Sequence, residues 1–576
     1  MSPVRIDADG YRLEVADDGL TATLASPAGE PWLMLRPLAA LDAADGTDET
    51  LAVMPPRRVS ADEVELRRRS TRWDEAWTRL VCGERGLEVS AGVEGRGALR
   101  TVRLLAVRSL LPGQAHGLLP SGSRLRTLFS PNPDHPDRIV RPLAESATLG
   151  VVGDAEPGRG RWLFTPAPLY VCLGEIGISI VAPVTEMRFS ELEVEGGEGA
   201  FALALRYDGH MTVDGSFTAP SLVLTPGVED PYRGLATHRA LLAERGAAPP
   251  VAPRDQAAWW SEPIFCGWGA QCARARSSGR RAADFATAAE YDTYLERLEA
   301  EGVVPGTIVI DDKWQGGYGT NEPDERKWPD LPGWIAARHE RGQHVLLWLK
   351  AWDVEGLPPD VCVRNGDGAP LAFDPTAPGA PDLVHAMLAR LLAPDGLDAD
   401  GLKIDFTART PSGSALATHS GAWGIALLHE LLALLHDAAK AAKPDALVVT
   451  HAPHPAFAAV SDMIRLNDML RLDLDDPHAG TPVVAQMRHR AAVARAACPE
   501  LLIDTDDWCA PSLAAWREYL AAKPGLGVPA LYYADTIDAT GERLEAADYA
   551  ALRRTWAAWR ARRCDAGHDP PDRAAP

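Results

Sequence analysis

The pattern of apolar and polar positions changes once along the 576-residue chain, near residue 258. Up to about residue 225, short runs such as YRLEVA, LEVSAGV, ISIVAPV, FALALRY and SLVLTP alternate apolar and polar side chains. That is the period of a strand with one buried face. Gly, Pro and Asp clusters such as EGRG and GDAEPGRGR break these runs, and regularly spaced short strands with turn signals predict a β-sandwich. The segment DPYRGLATHRALLAERG then reads as one helix, and GAAPPVAPRDQ as a Pro-rich linker.

Beyond residue 258, apolar runs too short for helices alternate with helical segments. Eight such runs read as strands: PIFCGW from Pro263, TIVID from Thr307, HVLLWL from His344, GLKID from Gly401, ALVVTH from Ala446, DMIRLN from Asp462, ELLID from Glu500 and PALYYA from Pro529. Helices fit between most of them. One opens with the capping box Thr287-Ala-Ala-Glu290, a second is GIALLHELLALLHDAAKAAK, and AADYAALRRTWAAWRARR closes the series. Eight β/α units predict a (β/α)8 barrel, with an extra loop in the long link between its third and fourth strands. The expected organisation is an N-terminal β-supersandwich with a linking helix over 1–245, a linker over 246–258, a barrel over 259–562 and a disordered tail over 563–576.

Composition narrows the function classes. The formal net charge is −22 with no basic stripe, which disfavours nucleic acid and anionic membranes as partners. No apolar stretch of about eighteen residues predicts a membrane span. The N-terminus lacks the apolar core of a secretory signal, and the eight cysteines form no CxxC or zinc-like spacing. A cytoplasmic protein with free thiols, needing no metal or organic cofactor, is the expectation. Its oligomeric state stays open, a homo-oligomer included.

In a (β/α)8 barrel the active site is built at the C-terminal ends of the strands. There the chain places Gly267-Trp268, Asp311-Asp312-Lys313-Trp314, Trp348-Leu-Lys350-Ala-Trp352-Asp353, Lys403-Ile-Asp405, Thr450-His451, Arg465-Leu-Asn467-Asp468 and Asp504-Thr-Asp506-Asp507-Trp508. Carboxylates and cations grip sugar hydroxyls, and Trp stacks on a pyranose face. A glycoside or oligosaccharide is therefore the expected substrate. Lys403 and Asp405, two apart on one strand, share a face. The ammonium keeps the carboxylate ionised, as a glycosidase nucleophile requires, although a structural ion pair has the same spacing. Asp468, across the mouth, is the expected acid/base, with Asp462 and Asp473 as alternatives. The Asp405 and Asp468 carboxyls are expected about 5–6 Å apart, the retaining separation. The Asp504-Asp506-Asp507 group reads as a solvated loop, with a cation site as the alternative.

These motifs resemble the melibiase-type retaining α-galactosidases. VIDDKWQ looks like that family's IDDGWQ, KWPDLPGW its KFP-Gly-Leu segment, GQHVLLWLKAW its third strand, LKIDF its LKxD nucleophile motif, and IRLND the segment carrying its acid/base. The resemblance implies Asp405 as nucleophile, Asp468 as acid/base, and Asp311, Asp312, Lys403 and Arg465 as sugar-binding residues. Trp268, Trp348, Lys350 and His451 complete the expected rim. The sequence departs from the family at Lys313, where the family has glycine, at Ile404, where it has tryptophan, and at Thr450-His451-Ala-Pro-His454. The implied function is a retaining, exo-acting α-glycosidase, most similar to an α-galactosidase. α-Glucosidase-type specificity, a transglycosylase on the same site and a non-catalytic carbohydrate-binding relative are the alternatives.

Overall fold

The computed structural model describes residues 3–106, 117–118, 127–133, 138–151, 163–197, 200–469 and 482–566. The expected tail beyond residue 566 and Asp473 lie outside the described residues. Among the described residues the N-terminal part pairs antiparallel. Its backbone is a pair of long strands, Gly86–Leu104 and Ala200–Thr218, in register from Gly92↔Thr218 to Leu104↔Leu203 with one slip between Leu99 and Thr101. The first half of Gly86–Leu104 also pairs with Glu75–Gly83, and its second half with Ala40–Ala43. The burial of Glu75–Gly83 alternates residue by residue, which is the one-faced pattern seen in the sequence. Inward side chains such as Leu80, Val89, Val102, Leu104 and Leu205 are buried.

The helix Pro231–Glu244 follows, its start capped by the Asp230 carboxylate, which accepts the Tyr232 backbone N–H at 3.0 Å. Tyr232 bonds the His489 ring across to the barrel helix Val483–Ala497 at 2.8 Å, so this helix joins the two parts of the chain.

All eight expected barrel strands form: β1 (Ile264–Cys266), β2 (Thr307–Ile310), β3 (His344–Lys350), β4 (Gly401–Asp405), β5 (Leu447–Thr450), β6 (Met463–Arg465), β7 (Leu502–Asp504) and β8 (Ala530–Leu531). Each pairs in parallel with its sequence neighbour from β1 to β7, and β8 pairs with β1. The ring closes through the parallel bridge Asp504↔Val528 just before β8. These strands are covered on both faces, which is why they read as unbroken apolar runs. Gly401 opens β4 at φ +155°, where a side chain would collide with the Leu447 backbone.

The long β3–β4 link holds a hairpin, Cys362–Arg364 with Pro370–Phe373, before the helix Ala380–Leu392. Thr287 caps the helix Ala288–Ala300 by accepting the Glu290 N–H at 3.3 Å. The box is not reciprocal, because the Glu290 carboxylate is taken by Arg274 through two 3.0 Å bonds. Among the described residues no helix is long and apolar enough to cross a membrane.

Candidate active site

One buried guanidinium organises the rim. Arg465 ends β6 with 2% of its surface exposed. Its Nη2 donates to Asp405 Oδ1 at 2.9 Å, and its Nη1 donates to Asp468 Oδ1 at 3.1 Å and to Asp506 Oδ2 at 2.8 Å. A carboxyl on each terminal nitrogen of one guanidinium bounds the Asp405 and Asp468 oxygens to within roughly 8 Å of each other. That is close enough for both to flank one anomeric carbon.

Asp405, at the end of β4, is held on both oxygens. Oδ2 accepts the Trp348 indole N–H at 3.1 Å, and Oδ1 also accepts the Phe406 backbone N–H at 2.9 Å. Burial alone would raise its pKa. The charges of Arg465 and Lys403, with the Trp348 bond, outweigh burial and hold the carboxyl well below the usual range. Asp468 is placed differently. Its side chain is 44% exposed at the mouth. Enclosure by the rim, aided by the negative charges of Asp506 and Asp405, still pushes its carboxyl up to about 6 against the pull of Arg465. One carboxyl is thus kept ionised and its neighbour inclines to hold a proton.

The Lys403 charge lowers the Asp405 carboxyl as its spacing predicts, but the direct ion partner of Lys403 is Asp311. Lys403, 3% exposed, donates to Asp311 Oδ2 at 2.7 Å and lies 3.5 Å from Cys266 Sγ. The reason is the layering of a barrel interior, where side chains from alternate strands meet at one level. Trp348 is in register with Lys403, and Ile310 with Leu347. Asp311, one residue past Ile310, therefore reaches the level of Lys403 across β3. Lys403 acts on Asp405 as a nearby charge, and Arg465 is the direct ion partner.

Asp311 is held on both oxygens: Cys266 Sγ lies 3.0 Å from Oδ2, Oδ1 accepts the Asp312 N–H at 2.8 Å, and its own N–H donates to the Tyr291 hydroxyl at 2.8 Å. Tyr291 reaches that point because residue 267 is glycine; a methyl there would overlap the Tyr291 hydroxyl. Gly267→Ala should therefore displace Tyr291 and lower stability by about 1–3 kcal/mol, read as a fall in denaturation midpoint. An unchanged midpoint would show that Tyr291 can move freely.

The outer rim is more open. Asp312 accepts the Tyr318 hydroxyl at 2.7 Å, and burial raises it to about 6 despite that bond. The ammonium groups of Lys313 and Lys350 stand 4.0 and 4.2 Å from the Tyr318 ring and pair with Glu355 and Asp353 at 2.8 and 2.7 Å. Trp268 meets Trp508 edge-on at 5.8 Å, both half-buried. Trp348 is 1% exposed, so its contribution is the bond to Asp405. His451 bonds Thr407 Oγ1 through Nε2 at 2.6 Å; burial and the Arg465 charge lower it to about 3, so it is neutral.

The acidic cluster after β7 is not the solvated loop expected from sequence. Asp504, Asp506 and Asp507 are 3%, 0% and 0% exposed. Asp506 pairs with Arg465 and accepts the Tyr532 hydroxyl at 3.1 Å, and Asp507 pairs with Lys523 at 2.7 Å. Local sequence cannot show partners lying 16 to 41 residues away. Asp462 sits at the opposite end of its strand, bonded to Lys440 and the Val448 N–H at 2.7 and 2.9 Å, which removes it from the mouth. Sequence reasoning missed Cys266, Tyr318 and Tyr532: Cys266 and Tyr532 meet partners 45 and 26 residues away, and Tyr318 reaches Asp312 because the loop after β2 folds back.

No family model matches the chain, and no curated protein matches it in sequence. Solved structures do match in fold. An α-galactosidase from Thermus thermophilus in complex with stachyose is 16% identical with a TM-score of 0.52, over 83% of this chain and 99% of that one. A GH31 family sulfoquinovosidase from E. rectale with an aza-sugar inhibitor is 11% identical with a TM-score of 0.58, over 94% and 81%. A GH31 α-xylosidase from a soil metagenome complexed with xylose is 12% identical with a TM-score of 0.51, over 97% and 85%. At these identities the likeness is one of fold: an N-terminal β-sandwich followed by a (β/α)8 barrel, shared with glycosidases.

Proposed function

We propose that the chain is a retaining, exo-acting α-glycosidase, with α-galactosides or related α-glycosides as substrates. The observation that carries this reading is the sharing of Arg465 by two carboxyls of opposite tendency, Asp405 held ionised and Asp468 raised to about 6. Asp405 attacks the anomeric carbon as the bond to the leaving oxygen breaks, and Asp468 gives that oxygen its proton. Asp468 then takes a proton from water, which attacks the glycosyl–Asp405 ester and frees the sugar with its original configuration. Asp311, Asp312, Lys350, Lys403, His451 and Trp268 form the wall that would bind the sugar hydroxyls and ring. The exposure of Asp468 favours water over a second sugar as acceptor. The α-galactoside preference is supported by the resemblance of the motifs around Asp311, Lys403 and Arg465 to those of the α-galactosidases.

The test is turnover of a panel of aryl α-glycosides, the galactoside, glucoside and xyloside among them, by the native protein and by Asp468→Ala. Turnover of one α-glycoside, reduced by Asp468→Ala, supports the reading; a panel with no turnover at all removes it. The pH dependence follows from the two carboxyls. Asp468 must be protonated to act as the acid, so kcat/KM for an unactivated glycoside should fall as pH rises through about 6. The acid limb, set by Asp405, should lie below the usual carboxylate range. Asp312 titrates in the same range as Asp468, so Asp312→Asn should keep the alkaline limb, whereas Asp468→Ala should abolish it.

A further inference from the structure

Among the described residues the Asp468 side chain bonds to Arg465 alone, and it sits at the mouth with much of its surface free. Its placement therefore depends on the backbone that carries it. The residue before it, Asn467, is in the left-handed region at φ +67°, a conformation that asparagine tolerates better than most residues. Its side chain does not turn to the barrel. Nδ2 donates to the Leu163 carbonyl at 2.7 Å, a bond from the barrel rim to the N-terminal β part that spans 304 residues of sequence and is buried. From the other side, Arg490 Nη1 donates to the carbonyls of Leu466, Asn467 and Asp468 at 2.8, 2.9 and 2.7 Å. Met469 N–H is tied to the Trp508 carbonyl at 2.8 Å.

The same N-terminal segment reaches two more strand ends. The Thr165 N–H donates to the His451 carbonyl at 3.0 Å after β5, and the Thr407 hydroxyl lies 3.3 Å from the Thr165 carbonyl after β4. The segment 163–165 thus lies against the ends of β4, β5 and β6, beside the candidate nucleophile and acid.

We infer that Asn467 is a positioning residue for the acid/base: its bond to the Leu163 carbonyl holds the left-handed turn that aims Asp468 at the leaving oxygen, so the N-terminal β part sets the geometry of proton transfer in the barrel. This rests on the reading of Asp468 as the acid/base. Loss of the bond leaves Asp405 and Arg465 in place, so nucleophilic attack survives and protonation of the leaving group suffers. The defect therefore depends on the leaving group, since an activated phenolate departs without a proton and an alkoxide does not.

The experiment compares Asn467→Gly and Asn467→Asp with native protein. Both replacements tolerate the left-handed backbone and neither can donate to Leu163; should one fail to fold, the other carries the test. Each is assayed on the 2,4-dinitrophenyl and the methyl α-glycoside of the sugar that turns over in the panel, with Asp468→Ala alongside. The expected result is a loss of roughly ten- to a hundredfold in kcat/KM on the methyl glycoside, up to the lower end of what a general acid contributes because the acid is misplaced and not removed, with the dinitrophenyl glycoside nearly unchanged. An equal loss on both substrates, or no loss on either, overturns the inference, because a merely structural bond would not sort substrates by leaving group. If Asp468→Ala itself shows no dependence on leaving group, the acid/base reading falls first and takes the inference with it.

Discussion

Asp405→Gly should lose turnover of α-glycosides by on the order of 10⁴- to 10⁶-fold, and added azide should restore it on activated substrates. The product of that rescue carries the diagnosis. Azide entering the space left by the carboxylate attacks from the face opposite the leaving group, so the restored product is the β-glycosyl azide. Were Asp405 the acid/base, azide would instead meet a glycosyl-enzyme and give the α-azide. The size of the loss follows from how completely the carboxylate is prepared. Both oxygens are bonded, by Arg465, the Phe406 N–H and Trp348, and the neighbouring cations keep the group ionised against its burial. Glycine supplies none of this, and Asp468, the other carboxyl on Arg465 at the mouth, lacks the indole and backbone donors that Asp405 has.

Arg465→Met should be the most destabilising single change at the rim. The guanidinium is 2% exposed and pairs with three carboxylates, of which Asp506 is fully buried. Removing one partner of a buried charge pair costs about 3–5 kcal/mol, because the charge left behind, here Asp506 above all, has lost both water and counter-ion. The pH dependence gives the claim a sign. Asp405 has a depressed folded pKa, so its contribution to stability is present above its unfolded value and is lost as pH falls through the folded one. Without Arg465 that contribution disappears, and the orphaned carboxylates are relieved when they protonate. The deficit of Arg465→Met should therefore be largest at pH 7–8 and shrink toward pH 4, measured by urea denaturation across that range. A deficit independent of pH would mean that lost packing, not charge, is responsible. In activity, the acid limb of any residual profile should move upward, since Asp405 becomes harder to ionise.

Some elements of this molecule are written in its local sequence and others are not. The eight barrel strands were legible because a strand covered on both faces must be apolar throughout, and a run such as HVLLWL has few other readings. The chemistry at their ends was legible because the barrel fixes which end carries it. What was not legible is who holds whom. Lys403 and Asp405 share a strand and a face, yet Lys403 closes on Asp311 from β2; the layer across the barrel decides this, and a spacing of two along one strand does not. The acidic run Asp504 to Asp507 looked solvated because its counter-charges, Arg465 and Lys523, come from other elements. The bond from Asn467 to Leu163 crosses from one part of the chain to the other, and no local pattern encodes it.

Asp405 should become covalently glycosylated during turnover, and that ester can be trapped. The native protein would be inactivated with a 5-fluoro-α-glycosyl fluoride of the sugar it turns over, digested, and its labelled peptide sequenced by mass spectrometry. A single glycosyl adduct is expected, on Asp405 within GLKIDF. An adduct on Asp468, Asp506 or any other residue, or turnover of the reagent with inversion and no adduct, would contradict it.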